Sequence, residues 1–180
     1  MILALFERPE GVPAAPGNRV VYDLARNEAQ FGAAAVDGPA LVWELSERDR
    51  EGTALSVQLE LEPSVEWMLR CDRIDFPPGG VAYRHTHPGA GIRRLLHGTL
   101  RIEGPAGLVA DYGPGGAWFE GFDYPVVATA SATEPTAFVR VLLLPREWQG
   151  KRTIRYVDPA DDEKPKLQRP TVFFDQAIEL

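Results

Sequence analysis

The sequence predicts an all-β domain. From residue 41 onward, short apolar runs alternate with turns, and Thr53–Leu61 carries apolar residues at every second position. Glycine and proline account for 17 and 16 of the 180 residues, and many of them separate these runs. Little of the chain has helical periodicity. Many short strands joined by turns are typical of a β-sandwich or a β-barrel.

Residues 1–40 have no clear period and contain four prolines. We expect an irregular N-terminal segment that packs on the barrel. One short helix is expected around Asp23–Phe31, with Asp23 as its cap.

Residues 41–145 are expected to form the barrel itself. Leu41–Leu45 and Thr53–Leu61 flank a charged turn, which predicts a hairpin. The remaining strands are predicted between turns rich in glycine or proline: Val65–Phe76, Val81–His85, Ile92–Glu103, Leu108–Tyr112, Ala117–Glu120, Pro125–Ala130 and Thr136–Leu144.

Residues 146–180 are expected to form a C-terminal extension. Arg152–Val157 predicts one more strand, and the charged, proline-rich Asp158–Pro170 predicts an exposed arm. Thr171–Phe174 is apolar again, so the arm ends by docking on something. Two interpretations carry equal weight: docking on a partner subunit, which predicts a homodimer, and docking on the chain's own barrel.

Composition excludes several classes of function. A net charge of −7 argues against a nucleic-acid partner. The single cysteine, Cys71, forms no disulfide within the chain and offers no cysteine-based zinc site, which favours a reducing, cytoplasmic setting. No run of 18 apolar residues is present, so no membrane span is expected.

The three histidines of the chain lie within thirteen residues. His85 and His87 are two apart, so on a strand both imidazoles face the same side and can reach one metal ion. His97 precedes Gly98 at a predicted turn and is expected to stay outside the site.

Around these residues the sequence resembles the cupin superfamily. The first cupin motif is G-x5-H-x-H-x3,4-E-x6-G. Residues 79–98 follow its spacing through Gly79, His85, His87 and Gly98, but Gly91 stands at the glutamate position.

The second cupin motif, G-x5-P-x-G-x2-H-x3-N, is degraded. Counted from Gly115, its histidine position holds Val126 and its asparagine position holds Ala130. The resemblance covers roughly residues 53–145. It implies a cupin-type, jelly-roll-like β-barrel.

The resemblance also implies a metal site of three histidines and one glutamate, of which this chain retains only His85 and His87. Glu120 is the candidate replacement, because in the family the residue at its position points into the barrel. The three side chains would make a 2-His-1-carboxylate site for one divalent transition metal, with Fe²⁺ favoured and Zn²⁺, Mn²⁺ or Ni²⁺ as alternatives. The competing interpretation leaves Glu120 solvated or paired with an arginine.

Counting by two from Gly91 places Arg93 on the inner face, where its guanidinium would bind an anionic substrate. Two alternatives remain open at this stage: Arg93 faces water, or it pairs with Glu120. Tyr83, Trp118 and Phe122 are candidate residues of the substrate pocket.

The leading functional hypothesis is a metal-dependent cupin enzyme acting on a small anionic organic molecule, with Glu120 and Arg93 as catalytic residues. Dioxygenase-like chemistry is favoured, with isomerase or decarboxylase chemistry as alternatives. The second hypothesis is a metal-free cupin that binds a small ligand as a sensor or carrier, because the glutamate and histidine positions hold Gly91 and Val126.

Overall fold

A computed structural model describes residues 1–180 and contains fifteen β-strands. In chain order they are β1 (Ile2–Arg8), β2 (Asn18–Asp23), β3 (Glu28–Phe31), β4 (Ala40–Ser46), β5 (Leu55–Gln58), β6 (Trp67–Phe76), β7 (Val81–Thr86), β8 (Ala90–His97), β9 (Leu100–Glu103), β10 (Val109–Tyr112), β11 (Ala117–Glu120), β12 (Val126–Ala130), β13 (Thr136–Pro145), β14 (Arg155–Tyr156) and β15 (Arg169–Ile178). The helices are three short 3₁₀ turns, and none has the length or apolarity to cross a membrane.

The strands form three antiparallel sheets of five strands each. The N-terminal sheet has the order β3-β2-β4-β1-β5. The central sheet has the order β11-β8-β13-β6-β15, and the outer sheet has the order β10-β9-β12-β7-β14. The all-β fold class is therefore confirmed.

The central sheet is buried on both faces. One face packs on the N-terminal sheet through alternate residues such as Leu69, Cys71 and Val141, which join Trp43 of β4 in one apolar cluster. The Trp43 indole is fully buried and donates a hydrogen bond of 3.1 Å to the Ile92 carbonyl, so it ties the two sheets together. The other face of the central sheet turns towards the outer sheet and forms the barrel interior.

The N-terminal segment is not irregular, because residues 1–40 contain β1, β2 and β3. In place of the helix expected at Asp23–Phe31, residues 24–27 form a turn and Glu28–Phe31 is β3. The Asp23 carboxylate accepts hydrogen bonds from the amides of Ala25 and Arg26, and Asn27 has a φ of 56°. The capping signal was correct, but it begins a tight turn and not a helix.

The predicted hairpin of Leu41–Leu45 and Thr53–Leu61 is wrong. The corresponding strands β4 and β5 do not pair with each other, because β1 lies between them and pairs with both. The barrel therefore does not begin at residue 41. Both strands belong to the N-terminal sheet, since their apolar faces are covered only when β1 completes it.

The C-terminal extension docks on its own barrel, which is one of the two interpretations that the sequence left open. β15 pairs with β6 along almost its whole length, and the short strand β14 pairs with β7. The extension thus supplies an edge strand to each sheet of the barrel. The homodimer stays a prediction.

A buried ion pair fixes β15. Asp175 accepts hydrogen bonds from Arg70 at 2.5 and 2.7 Å and from the Gly150 amide at 2.7 Å. Burial raises the pKa of Asp175, but these donors outweigh burial, so its pKa lies below the ordinary value. The carboxylate is therefore ionised at neutral pH and holds the extension against β6.

Replacing Asp175 by alanine should lower the free energy of unfolding by about 3 kcal/mol, because Arg70 keeps a buried charge without its carboxylate. Urea denaturation measures this change. The matched control is Asp111→Ala, which breaks an exposed pair with Arg101 and should leave the unfolding midpoint almost unchanged. Equal effects of the two substitutions would show that the buried pair does not hold β15.

Candidate functional site

A cavity of about 460 Å³ lies between the central and outer sheets. Its lining changes from apolar side chains at one end to charged side chains at the other. Its apolar end is lined by Ile74, Phe76, Ala82, Ile102, Trp118, Val126, Ala128 and Phe138. Its charged end is lined by Arg70, Asp72, His85, His87, Arg93, Glu120 and Arg140. The gradient follows the strands, because Asp72 pairs in register with Arg140 and Ile74 with Phe138.

Two-residue periodicity in β6 produces this gradient. Arg70 and Asp72 face the cavity, while Leu69 and Cys71 face the N-terminal sheet. All four residues are buried, so this part of β6 is apolar on one face and charged on the other, whereas Ile74 and Phe76 make the inner face apolar further along the strand. A charged inner face in a buried sheet requires a partner for every charge.

All three guanidinium nitrogens of Arg140 have a partner. Its guanidinium donates two hydrogen bonds to Asp72, at 2.6 and 3.0 Å, and its Nη1 lies 3.0 Å from Nε2 of His87. Burial lowers the pKa of Arg140, but the pairing with Asp72 outweighs burial and leaves this pKa above its ordinary value. Arg140 therefore stays charged and donates to the His87 imidazole.

The two inner histidines are oriented by backbone carbonyls. Nδ1 of His85 lies 2.7 Å from the Tyr83 carbonyl, and Nδ1 of His87 lies 3.2 Å from the Thr153 carbonyl. Because a carbonyl only accepts, both rings carry their proton on Nδ1. The ring centroids are 5.0 Å apart, with the planes at 81°.

Both imidazoles are neutral at pH 7. Burial, with help from Arg140, lowers the pKa of His87 well below 6.5. Burial also lowers the pKa of His85, although the Tyr83 carbonyl and Glu120 act in the opposite direction. The cavity thus contains two neutral imidazoles whose Nε2 atoms are acceptors.

Arg93 and Glu120 form a buried ion pair, with side chains 1% and 7% exposed. Nη1 of Arg93 donates to the Gly91 carbonyl at 2.6 Å, and its Nη2 lies 2.7 Å from Oε2 of Glu120. This second contact is an ion pair without hydrogen-bond geometry, and Nη2 makes no other contact of that kind. The other Glu120 oxygen, Oε1, accepts from the Trp118 indole at 2.8 Å. Burial lowers the pKa of Arg93 to about 10, so the guanidinium is charged at neutral pH.

The predicted metal centre of His85, His87 and Glu120 does not assemble. No group of three or more histidine, cysteine, aspartate or glutamate side chains in the chain is placed to hold a metal ion. The two oxygens of the Glu120 carboxylate already contact Arg93 and the Trp118 indole. In addition, Nε2 of His87 faces the Arg140 guanidinium, whose positive charge opposes a second cation there. The residues present therefore do not fit a metal held by this triad.

Two of the predicted pocket residues lie outside the cavity. The pairing of β7 with β12 shifts between Val126 and Ala128, so that Ala82 and His85 both line the cavity. Tyr83 instead places its ring beneath the ammonium group of Lys164. Phe122 is 39% exposed and packs on Trp67 at a centroid distance of 5.8 Å. Phe122 follows the end of β11, where strand periodicity no longer fixes the direction of a side chain.

The sequence-based reasoning missed the second inner arginine pair and the contribution of the C-terminal extension. Counting by two along β6 and β13 from their apolar residues would have placed Asp72 and Arg140 on the inner face. No sequence signal indicated that Thr153, Tyr156 and Gln168 line the same cavity. Their placement depends on the long-range pairing of β14 and β15. His97 lies outside the cavity, as expected, and its ring contacts the Pro135 carbonyl at 3.1 Å.

Lowering the pH from 7 to 5 should lower the free energy of unfolding. The pKa of His87 in the folded state lies below that in the unfolded chain, so unfolding takes up a proton in this range. Urea denaturation at both pH values measures the loss. The loss should shrink in His87→Gln and persist in His97→Gln, a substitution at the exposed histidine. A loss of equal size in His87→Gln would contradict the assignment.

Neither a protein-family model nor a curated protein matches the sequence. Solved structures of similar fold include the polyketide cyclase RemF from Streptomyces resistomycificus, with 16% identity, a TM-score of 0.41, and coverage of 57% of this chain and 87% of that one. An RmlC-like cupin from Shewanella frigidimarina has 16% identity, a TM-score of 0.39, and coverage of 49% and 83%. The DMSP lyase DddQ from Ruegeria pomeroyi has 21% identity, a TM-score of 0.44, and coverage of 51% and 44%. The chain forms an antiparallel two-sheet β-barrel with its His-x-His motif on the inner face, as the resemblance to the cupin superfamily implies.

Proposed function

We propose that the barrel cavity binds a small organic acid with an apolar body, without a metal ion. The observation that carries this proposal is the Nη2 group of Arg93. Arg93 lines the cavity and is charged, and its Nη2 is ion-paired with Glu120 at 2.7 Å without making a hydrogen bond. A carboxylate in the cavity would give Nη2 an acceptor in hydrogen-bond geometry, in a charge-assisted hydrogen bond.

The charge around the cavity also favours an anion. Six basic residues line it, three of them at the mouth, against three carboxylates. The two histidines add no charge at pH 7. The basic residues are Arg70, Arg93, Arg140, Lys151, Arg152 and Lys166, and the carboxylates are Asp72, Glu120 and Asp175. Arg152 and Lys166 share one further carboxylate, Asp162, which does not line the cavity. The excess of positive charge that remains stands out in a chain whose net charge is −7, and it favours anions.

The apolar end of the cavity suits the rest of such a molecule. Its walls are aliphatic and aromatic side chains, including Phe138 and the ring of Trp118. Burying apolar area there stabilises the complex by about 25 cal/mol per Å² before the costs of association. Either a sensor or a carrier would need no more than this binding.

A metal-dependent enzyme is the second candidate. It is favoured by the 5.0 Å separation of the two neutral imidazoles on the inner face. Fe²⁺ with dioxygenase-like chemistry is the form that the sequence favours, with isomerase or decarboxylase chemistry as alternatives. This candidate requires a third ligand that neither Glu120 nor any other acidic side chain supplies in the present arrangement.

Removing the charge of Arg93 should weaken acid binding roughly thirtyfold, equivalent to about 2 kcal/mol for one charge-assisted hydrogen bond. The variant is the double substitution Arg93→Met with Glu120→Gln, which leaves no unpaired buried charge. Isothermal titration with hexanoate, benzoate and phenylacetate measures the affinities.

The matched control is Arg94→Met with Glu7→Gln. Arg94 is the next residue of β8, but it points the other way and pairs with Glu7 of β1 at 2.8 Å. This control should bind the acids like the unchanged protein. Equal affinity in the Arg93 double variant, confirmed folded by circular dichroism, would refute the role of Arg93.

Metal removal should not change acid binding. Protein purified without a histidine tag should hold far less than one equivalent of iron, zinc, manganese or nickel. Its affinity for the same acids should be unaffected by a chelator. Inductively coupled plasma mass spectrometry and titration measure the two quantities. One equivalent of metal that is lost in His85→Ala would overturn the metal-free proposal and favour the second candidate.

A further inference from the structure

Two buried polar atoms without hydrogen-bond partners line the same cavity. The chain has three such side-chain atoms in all: Nε of Arg19, Nη2 of Arg93 and Oε1 of Gln168. Both Arg93 and Gln168 line the barrel cavity, whereas Arg19 belongs to the N-terminal sheet. Nε of Arg19 and Nη2 of Arg93 each lie beside a carboxylate, so Oε1 of Gln168 is the one atom of the three with no partner of any kind. Because buried polar groups are normally satisfied, this oxygen points to a ligand in the cavity that Arg93 also lines.

Gln168 lies immediately before β15 and reaches the cavity from the C-terminal extension. Its Nε2 donates to the Tyr156 hydroxyl at 3.0 Å, and its Oε1 is buried and free. Turning the amide over exchanges these two atoms, so one of them lacks a partner in either orientation. Tyr156 in turn packs edge-on against His85 at a centroid distance of 6.4 Å, which fixes this wall of the cavity.

The two side chains come from distant parts of the chain. Arg93 lies on β8, while Gln168 precedes β15 and is bonded to Tyr156 of β14. An acid group satisfies the guanidinium. A hydroxyl group both donates and accepts, so it satisfies the Gln168 amide whichever way the amide is turned.

We propose that the ligand is a hydroxylated organic acid, whose acid group binds Arg93 and whose hydroxyl group binds the Gln168 amide. This inference rests on the proposed acid-binding function and adds a specificity-determining residue to it. A site built to bond a hydroxyl group discriminates against the analogue that lacks it, because the amide is then left unpaired.

The test compares phenylacetate with its 2-, 3- and 4-hydroxy derivatives by isothermal titration. At least one hydroxy acid should bind roughly tenfold more tightly than phenylacetate, the gain expected from one well-placed hydrogen bond. Gln168→Leu should remove this preference, because leucine offers the hydroxyl group no hydrogen-bond partner.

The matched control is Gln176→Leu, a substitution of an exposed glutamine on β15 whose amide bonds only the neighbouring Ala177 carbonyl. It should keep the preference. Tyr156→Phe removes the partner that orients the Gln168 amide, so it should reduce the preference without abolishing acid binding.

The outcomes separate the two proposals. Binding of phenylacetate without any gain from a hydroxyl group, or a gain that survives Gln168→Leu, overturns the role of Gln168 and leaves acid binding intact. Such a result would mean that an ordered water satisfies the amide. If none of the acids binds to the folded protein, the proposed function fails as well.

Discussion

The central sheet is buried on both faces, and the rest of the structure depends on this constraint. Its strands must present apolar residues to the N-terminal sheet, as Leu69 and Cys71 do, and a second buried face to the barrel interior. On that interior face three arginines replace part of the apolar core. Each one is stable there because a carboxylate lies beside it: Asp175 beside Arg70, Glu120 beside Arg93, and Asp72 beside Arg140.

These pairs are not equivalent. The guanidinium groups of Arg70 and Arg140 each make two hydrogen bonds to one carboxylate, so these two arginines stabilise the fold. Arg93 contacts Glu120 at 2.7 Å through Nη2, but this contact lacks hydrogen-bond geometry. A charged, buried donor that makes no hydrogen bond is stabilised by a ligand that accepts one. This difference is the reason why the proposed function assigns anion binding to Arg93 and not to the other two arginines.

The same pairs explain why the retained His-x-His motif does not complete a metal centre. His87 receives a hydrogen bond from Arg140, and the two carboxylates at this end of the cavity, Glu120 and Asp72, pair with Arg93 and Arg140. The imidazoles therefore lack a third ligand. Gly91 and Val126 stand at the glutamate and histidine positions of the cupin motifs, and neither side chain can bind a metal.

The sequence by itself determined the all-β class and the shared inner face of His85 and His87, because strand periodicity is a local property that two-residue counting reads correctly. The same counting placed Arg93 on the inner face, but it left open whether that side chain faces water. It could not decide between a metal and an arginine as the partner of Glu120, since that choice depends on a distance between β8 and β11. Nor could it predict β1 between β4 and β5, or the return of β15 to β6. Such pairings join segments far apart in the chain, and only the burial of whole sheets selects them. The tertiary structure therefore decided the chemistry of the cavity, including the contribution of Gln168.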